Sequence, residues 1–93
     1  MNSAKISGYC DPKFSQVEEI FSYSIKSGHE LGASLAVEIE GEKVIDLWGG
    51  FCDEARSKSW ERDTIVNVFS VSKAITSVCL GRLMERGLIC LLY

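Results

Sequence analysis

Two apolar runs, separated by Glu40-Gly41-Glu42, constrain the fold of this chain more than any other feature. Residues 33–40 alternate, which places Leu35, Val37 and Ile39 on one face of an extended segment. The stretch from Lys43 to Gly50 carries Val44, Ile45, Leu47 and Trp48 and reads as the returning strand. Glycine accepts a positive φ without steric cost, so Gly41 makes the connection a hairpin turn. Gly49-Gly50 removes two side chains in succession, marking a bend or a close packing point. Trp48 reads as a core or domain-seam aromatic in preference to a substrate contact. A two-stranded hairpin is marginal in water and needs cover.

Helical patterns flank the hairpin on both sides. Asp11 is a cap and Pro12 suits the first helical position. Phe14, Val17, Ile20, Phe21 and Ser24 or Ile25 then recur at helical spacing, and Glu18 and Glu19 are assigned to water. Gly28 closes a helix over 11–28. The aromatic stripe reads as core and not as a ligand box. Past the hairpin, residues 51–69 form a loop and then a short extended segment. Charges alternate in sign from Asp53 to Asp63, as on a solvated connection. Arg62 or Asp63 could instead pin the following segment, and Asp63-Thr64 suits a turn. A second helix spans 70–87, with Ala74, Ile75, Val78, Cys79, Leu83 and Met84 in a wide apolar stripe. A helix so apolar is expected to be buried on most sides, with Cys79 in the core. Gly81 leaves room for another backbone, and Gly87 ends the helix. The class is α/β (α+β), in the order helix, β-hairpin, loop, helix.

The chemistry sits where the second helix begins. Lys73 is the only one of the six lysines with a serine three residues before it. Residues at i and i+3 share a helix face, so Ser70 Oγ and Lys73 Nζ can meet. The first turn of a helix has unpaired N–H groups and the positive end of the dipole. That field disfavours an ammonium and favours an oxyanion, so a lysine there is suited to act as base for a serine. The plainer alternative makes Ser70 an N-cap and Lys73 a solvated lysine. The apolar run Thr64-Ile65-Val66-Asn67-Val68-Phe69 favours chemistry, because a nucleophile at a switch from strand to helix projects out of the backbone.

The pattern Ser70-Val71-Ser72-Lys73 is the S-x-x-K arrangement of the serine β-lactamases and penicillin-binding proteins. From Leu31 to about Leu88 the chain resembles the N-terminal part of the β-lactamase-related serine hydrolases, the class C-like esterases in particular. The matching pieces are Gly32 to Val37, Gly41 to Gly50, Trp60 to Lys73 and Leu83 to Leu88, in the family's order and spacing. The resemblance implies a partial β-lactamase/transpeptidase-like fold: a sheet domain beside a helical domain, with the serine at the seam. It implies that Ser70 attacks an ester or amide carbonyl of a small molecule while Lys73 helps to deprotonate it. The Ser70 N–H would supply half of the oxyanion hole. The family's downstream Tyr-x-Asn and Lys/His-x-Gly motifs do not occur in these 93 residues. After Gly87 the family continues with acidic residues and a proline, whereas this chain reads Leu88-Ile89-Cys90-Leu91-Leu92-Tyr93. The expectation is a truncated N-terminal part of a longer hydrolase, weakly active or inactive alone. The alternatives are a non-catalytic interaction fragment and a non-functional product.

Composition narrows the partners. Ninety-three residues, 46% hydrophobic and 25% charged, suit one small globular unit and not a disordered tail. A net charge of −3 with interspersed signs leaves no footprint for nucleic acid. Four cysteines without a C-x-x-C pair, and a single histidine, argue against zinc, and nothing calls for a cofactor. The N-terminus lacks the apolar stretch of a signal peptide, and the last apolar run is too short to span a bilayer. A cytoplasmic chain with reduced thiols follows, leaving a mitochondrial address open. In the resembled fold the remaining strands lie far downstream, so one hairpin edge and much of the serine helix are expected to be uncovered here, with marginal stability, exposed apolar surface and self-association through that edge.

Overall fold

The computed structural model describes residues 3–92. Its core is a three-stranded antiparallel sheet, in the order β1 (Ile6–Cys10), β3 (Glu42–Gly50), β2 (Gly32–Ile39). The expected hairpin is present. Glu40 and Gly41 both have positive φ, 52° and 82°, as a two-residue turn between twisted strands requires.

Nothing in the sequence marks a strand at β1. The structure corrects this: Ile6 to Cys10 pairs with β3 on the side opposite β2, from Ile6 beside Gly49 to Cys10 beside Ile45. The segment has no clear alternation of its own, and the open edge of β3 imposes the pairing. The strands approach closely where side chains are lacking. A Cβ on Gly8 would collide with the carbonyl of Asp46, and one on Gly50 with that of Leu31. The Gly49-Gly50 pair is therefore a packing point.

Ile45 and Leu47 are buried, and they lie opposite Val37 and Leu35. The register then slips between Val37 and Glu38, which brings Ile39 opposite Glu42 and leaves it 46% exposed. Ile39 does not continue the core face beyond this irregularity.

A 3₁₀ turn (Pro12–Phe14) leads into α1 (Ser15–Lys26). Asp11 caps it by accepting from the Lys13 N–H at 2.9 Å. α1 packs on β3 and β1 and buries Ile25, whereas Ile20, expected on the core stripe, is 68% exposed. Glu18, expected in water, is half-buried beside the Cys10 thiol. The unforeseen β1 brings the two together.

The chain leaves the sheet through an ordered loop. Phe51 is buried and bridges to Ser59, Cys52 N–H donates to Lys58 O at 2.8 Å, and Trp60 N–H donates to Gly50 O at 2.9 Å. The Asp53 carboxylate accepts from the N–H groups of Ser57 and Lys58 and from the Ser57 hydroxyl. These bonds hold its ionisation below the usual range. What reads as a solvated connection is thus a small stapled hairpin. Arg62 and Asp63 form no ion pair; among the described residues the ion pairs are Lys43–Asp46 and Arg82–Glu85.

The last element is α2 (Val71–Glu85). It ends as Gly87 suggests: Gly87 N–H donates to Met84 O at 3.0 Å and Leu88 N–H to Leu83 O at 3.0 Å. As expected of these residues alone, the helix is largely uncovered, and no residue of α2 is buried; Cys79, expected in the core, is exposed. Its apolar residues point to all sides, and no other described element encloses it. The radius of gyration is accordingly 17.9 Å, against about 12 Å for a compact chain of this length.

Candidate active site

Two residues of the loop fix the approach to α2. Glu61 N–H donates to Thr64 Oγ1 at 2.8 Å, and Thr64 N–H donates to Glu61 O at 3.2 Å. The Thr64 hydroxyl also lies 3.9 Å from Cys52 Sγ, at the end of the sheet. From Ile65 the chain runs without regular structure to Phe69, and Ile65 and Phe69 are 92% and 90% exposed.

Ser70 then takes a left-handed conformation, φ 69° and ψ −1°. This geometry costs a non-glycine residue about 1–2 kcal/mol. It turns the backbone sharply, and α2 starts at the next residue. Lys73 N–H donates to Ser70 O at 3.1 Å, closing the first turn.

The Ser70 side chain makes no capping hydrogen bond. That separates it from an ordinary N-cap serine, whose hydroxyl is occupied by a first-turn N–H. It also separates it from other hydroxyls of the helix. Thr76 Oγ1 donates to Ser72 O at 2.9 Å and Ser77 Oγ donates to Lys73 O at 3.1 Å. Among the described residues the Ser70 hydroxyl has no hydrogen-bond partner; it is exposed and at the positive end of the helix.

Lys73 is on the first turn of α2, where no acidic residue offsets the dipole. Ser70 and Lys73 thus share one end of one helix. Among the described residues no hydrogen bond joins their side chains, and Lys73 forms no ion pair. The sequence carried no sign of the left-handed turn at Ser70, which is a position where glycine or asparagine is more usual.

An apolar concavity lies elsewhere. An apolar groove of about 490 Å³ lies between α1 and β2, lined among others by Val17, Ile20, Phe21 and Leu35. Nothing from α2 lines it. Three or more metal-binding side chains do not come together anywhere among the described residues. No helix of the described residues is long and apolar enough to cross a membrane.

The model of the family described as Beta-lactamase matches residues 17–91, which takes in both strands of the hairpin, Ser70, Lys73 and all of α2. The chain belongs to the beta-lactamase family. The relatives of this beta-lactamase-family chain agree with that assignment. Esterase/beta-lactamase LipL of Mycobacterium tuberculosis (strain ATCC 25618 / H37Rv) is 35% identical over 85 residues, covering 91% of this chain and 20% of that protein. The crystal structure of a family VIII carboxylesterase is 44% identical with a TM-score of 0.85, covering 92% of this chain and 23% of that one. A penicillin-binding protein homologue from Caulobacter crescentus is 41% identical with a TM-score of 0.82, covering 89% and 22%. The beta-lactamase-family chain therefore spans about a fifth of the length of these relatives. The neighbours share its partial α/β architecture, and the family is one of serine hydrolases.

Proposed function

We propose that Ser70 is the nucleophile and Lys73 the proton acceptor of an acyl-transfer reaction on an ester or amide. The observation that carries this reading is the uncapped Ser70 hydroxyl at a left-handed turn, three residues before Lys73 at the head of α2. A neutral Lys73 amine takes the Oγ proton as Oγ bonds to the carbonyl carbon. The Ser70 N–H, at the positive end of the helix, faces the developing oxyanion. Collapse expels the alcohol or amine with that proton and leaves an acyl-Ser70 ester, which water then hydrolyses. Esters are the favoured substrate class, because relatives of this chain are named as an esterase/beta-lactamase and a carboxylesterase.

These residues alone are expected to acylate slowly. Ser70 and Lys73 are open to solvent, and the Lys/His-x-Gly motif, whose strand the resemblance makes the source of the second oxyanion donor, does not occur in these 93 residues. One missing donor costs about 10²–10³ in rate. A burst experiment with an activated aryl ester tests the reading. One equivalent of acyl group is expected on Ser70, with none in Ser70→Ala and a rate about 10²–10⁴ lower in Lys73→Ala. Equal bursts from wild type and Ser70→Ala would remove the case for catalysis.

A second reading is favoured by a separate observation. Among the described residues β2 pairs only with β3, and its outer edge from Gly32 to Val37 has neither charge nor proline. Edges of that kind pair with other strands. On this reading the chain self-associates through β2, and size-exclusion chromatography of wild type against Ala36→Lys distinguishes the two. Four unbridged cysteines fit a reducing compartment such as the cytoplasm.

A further inference from the structure

We propose that Ser27 and His29 form a pH-responsive cap on the C-terminal end of α1, which fastens that end to the start of β2 when the imidazole is protonated. α1 finishes at Lys26, and Gly28 turns the chain with φ 86°. The Glu30 N–H then reaches back to Ser24 O at 2.9 Å, and Leu31 O accepts the Phe51 N–H at 2.9 Å. Ser24 O is thus the carbonyl through which the last turn of α1 holds the chain entering the sheet.

One hydroxyl stands between that carbonyl and a titratable ring. Ser27 Oγ lies 2.7 Å from His29 Nδ1 and 3.4 Å from Ser24 O. The first distance is a full hydrogen bond and the second a weak one. The hydroxyl has a single proton, so it serves one of the two acceptors at a time. In a neutral imidazole protonated at Nε2, Nδ1 is an acceptor and takes that proton. In an imidazolium, Nδ1–H donates to Ser27 Oγ, and the hydroxyl proton turns to Ser24 O. The charged ring also stands at the negative end of the helix. Both effects have the same sign: the cap is closed while His29 is protonated and opens as pH rises through its titration. The Tyr23 ring flanks the imidazole, with centroids 6.1 Å apart and planes tilted by 34°. Lys26 precedes the turn and Glu30 follows it. Among the described residues no carboxylate of any element lies within ion-pair distance of the imidazole. Every hydrogen-bonding partner of the cap lies within residues 23–30, so the cap is a local arrangement.

The test is amide exchange and imidazole ¹⁵N NMR on the full chain at about pH 5 and about pH 8, on either side of the ordinary histidine range. After correction for intrinsic exchange, the Glu30 amide is expected to be about 2- to 5-fold better protected at the lower pH, the size of a cation's effect at a helix C-terminus. The Ile45 and Leu47 amides of β3 are expected to show no such difference. Ser27→Ala keeps the titrating ring and breaks the relay, and is expected to remove most of the Glu30 difference. His29→Asn cannot titrate and is expected to abolish it. At the higher pH, Nδ1 of the wild type is expected to show the ¹⁵N shift of an unprotonated ring nitrogen. Equal Glu30 protection at the two pH values would overturn the proposal. So would a Ser27→Ala difference as large as that of wild type, which would leave the helix dipole alone at work. A protonated Nδ1 at the higher pH would also overturn it, since the hydroxyl would then never change acceptor. A matching pH response at Ile45 and Leu47 would make the effect global and sink the local cap. None of these readouts requires Ser70 to react, so their failure is distinct from failure of the aryl-ester burst.

Discussion

The sheet half of this molecule and its serine helix are held by different forces. Residues 6–51 bury Ile25, Ile45, Leu47 and Phe51 between α1 and the strands, each burial contributing roughly 1.5–3 kcal/mol. α2 buries nothing. Its local chemistry is nevertheless complete, with a closed first turn, a Gly87 terminus and an Arg82–Glu85 pair at 3.0 Å. One half is therefore defined by packing and the other by backbone geometry. The candidate nucleophile lies on the second. Its local geometry here is set by backbone angles and first-turn hydrogen bonds, the left-handed Ser70 among them.

The widest separation between the halves is expected from truncating leucines. Leu47 is 2% exposed in the central strand, and Leu47→Ala is expected to cost about 2–5 kcal/mol. Leu83 on α2 is 37% exposed, and Leu83→Ala is expected to stay within about 1 kcal/mol, since alanine is also a strong helix former. Urea unfolding followed through Trp48 and Trp60 fluorescence reads both. Equal losses would mean that α2 is packed in solution, and the contrast would fall.

A smaller effect is expected at the junction. Ser70→Gly removes the side chain that resists φ 69° and is expected to firm the start of α2 by about 1 kcal/mol, while abolishing acylation. Amide exchange at Lys73 and Ala74 measures it. Faster exchange in the glycine variant would show that Ser70 is not strained in this turn.

The elements that sequence made visible are those with strong local chemistry. Alternation and Gly41 mark the hairpin, Asp11-Pro12 marks the entry to α1, and Gly87 marks the end of α2. The site residues were legible for a similar reason, since S-x-x-K at a helix start is a local pattern. What escaped was imposed from a distance. Ile6–Cys10 becomes a strand because β3 has an edge to fill, and that strand then draws Glu18 out of water. Ile39 leaves the core because the register slips two residues earlier, a shift that the alternation of β2 does not encode. The left-handed turn at Ser70 belongs to the same class. A serine there reads as a cap until its backbone angles are known.

Cysteine chemistry offers the finest probe of the difference between the halves. Cys10 is half-buried at the end of β1, with its thiol 3.4 Å from Phe14 O, whereas Cys79 is exposed on α2. Partial burial, and after it the Glu18 carboxylate, raises the pKa of Cys10 above the ordinary thiol value. The folded state therefore favours the protonated thiol. The stabilisation this gives is fully present below the unfolded thiol pKa and is lost as pH rises through the higher folded value. Only the thiolate is alkylated. Iodoacetamide labelling followed by peptide mass analysis is thus expected to modify Cys79 before Cys10 at pH 8, with the gap closing as pH rises. Glu18→Gln removes one of the causes and is expected to speed Cys10 labelling modestly without altering Cys79. Labelling of Cys10 as fast as Cys79 at pH 8 would mean that β1 is not held against the sheet in solution. The half defined by packing would then lose its third strand.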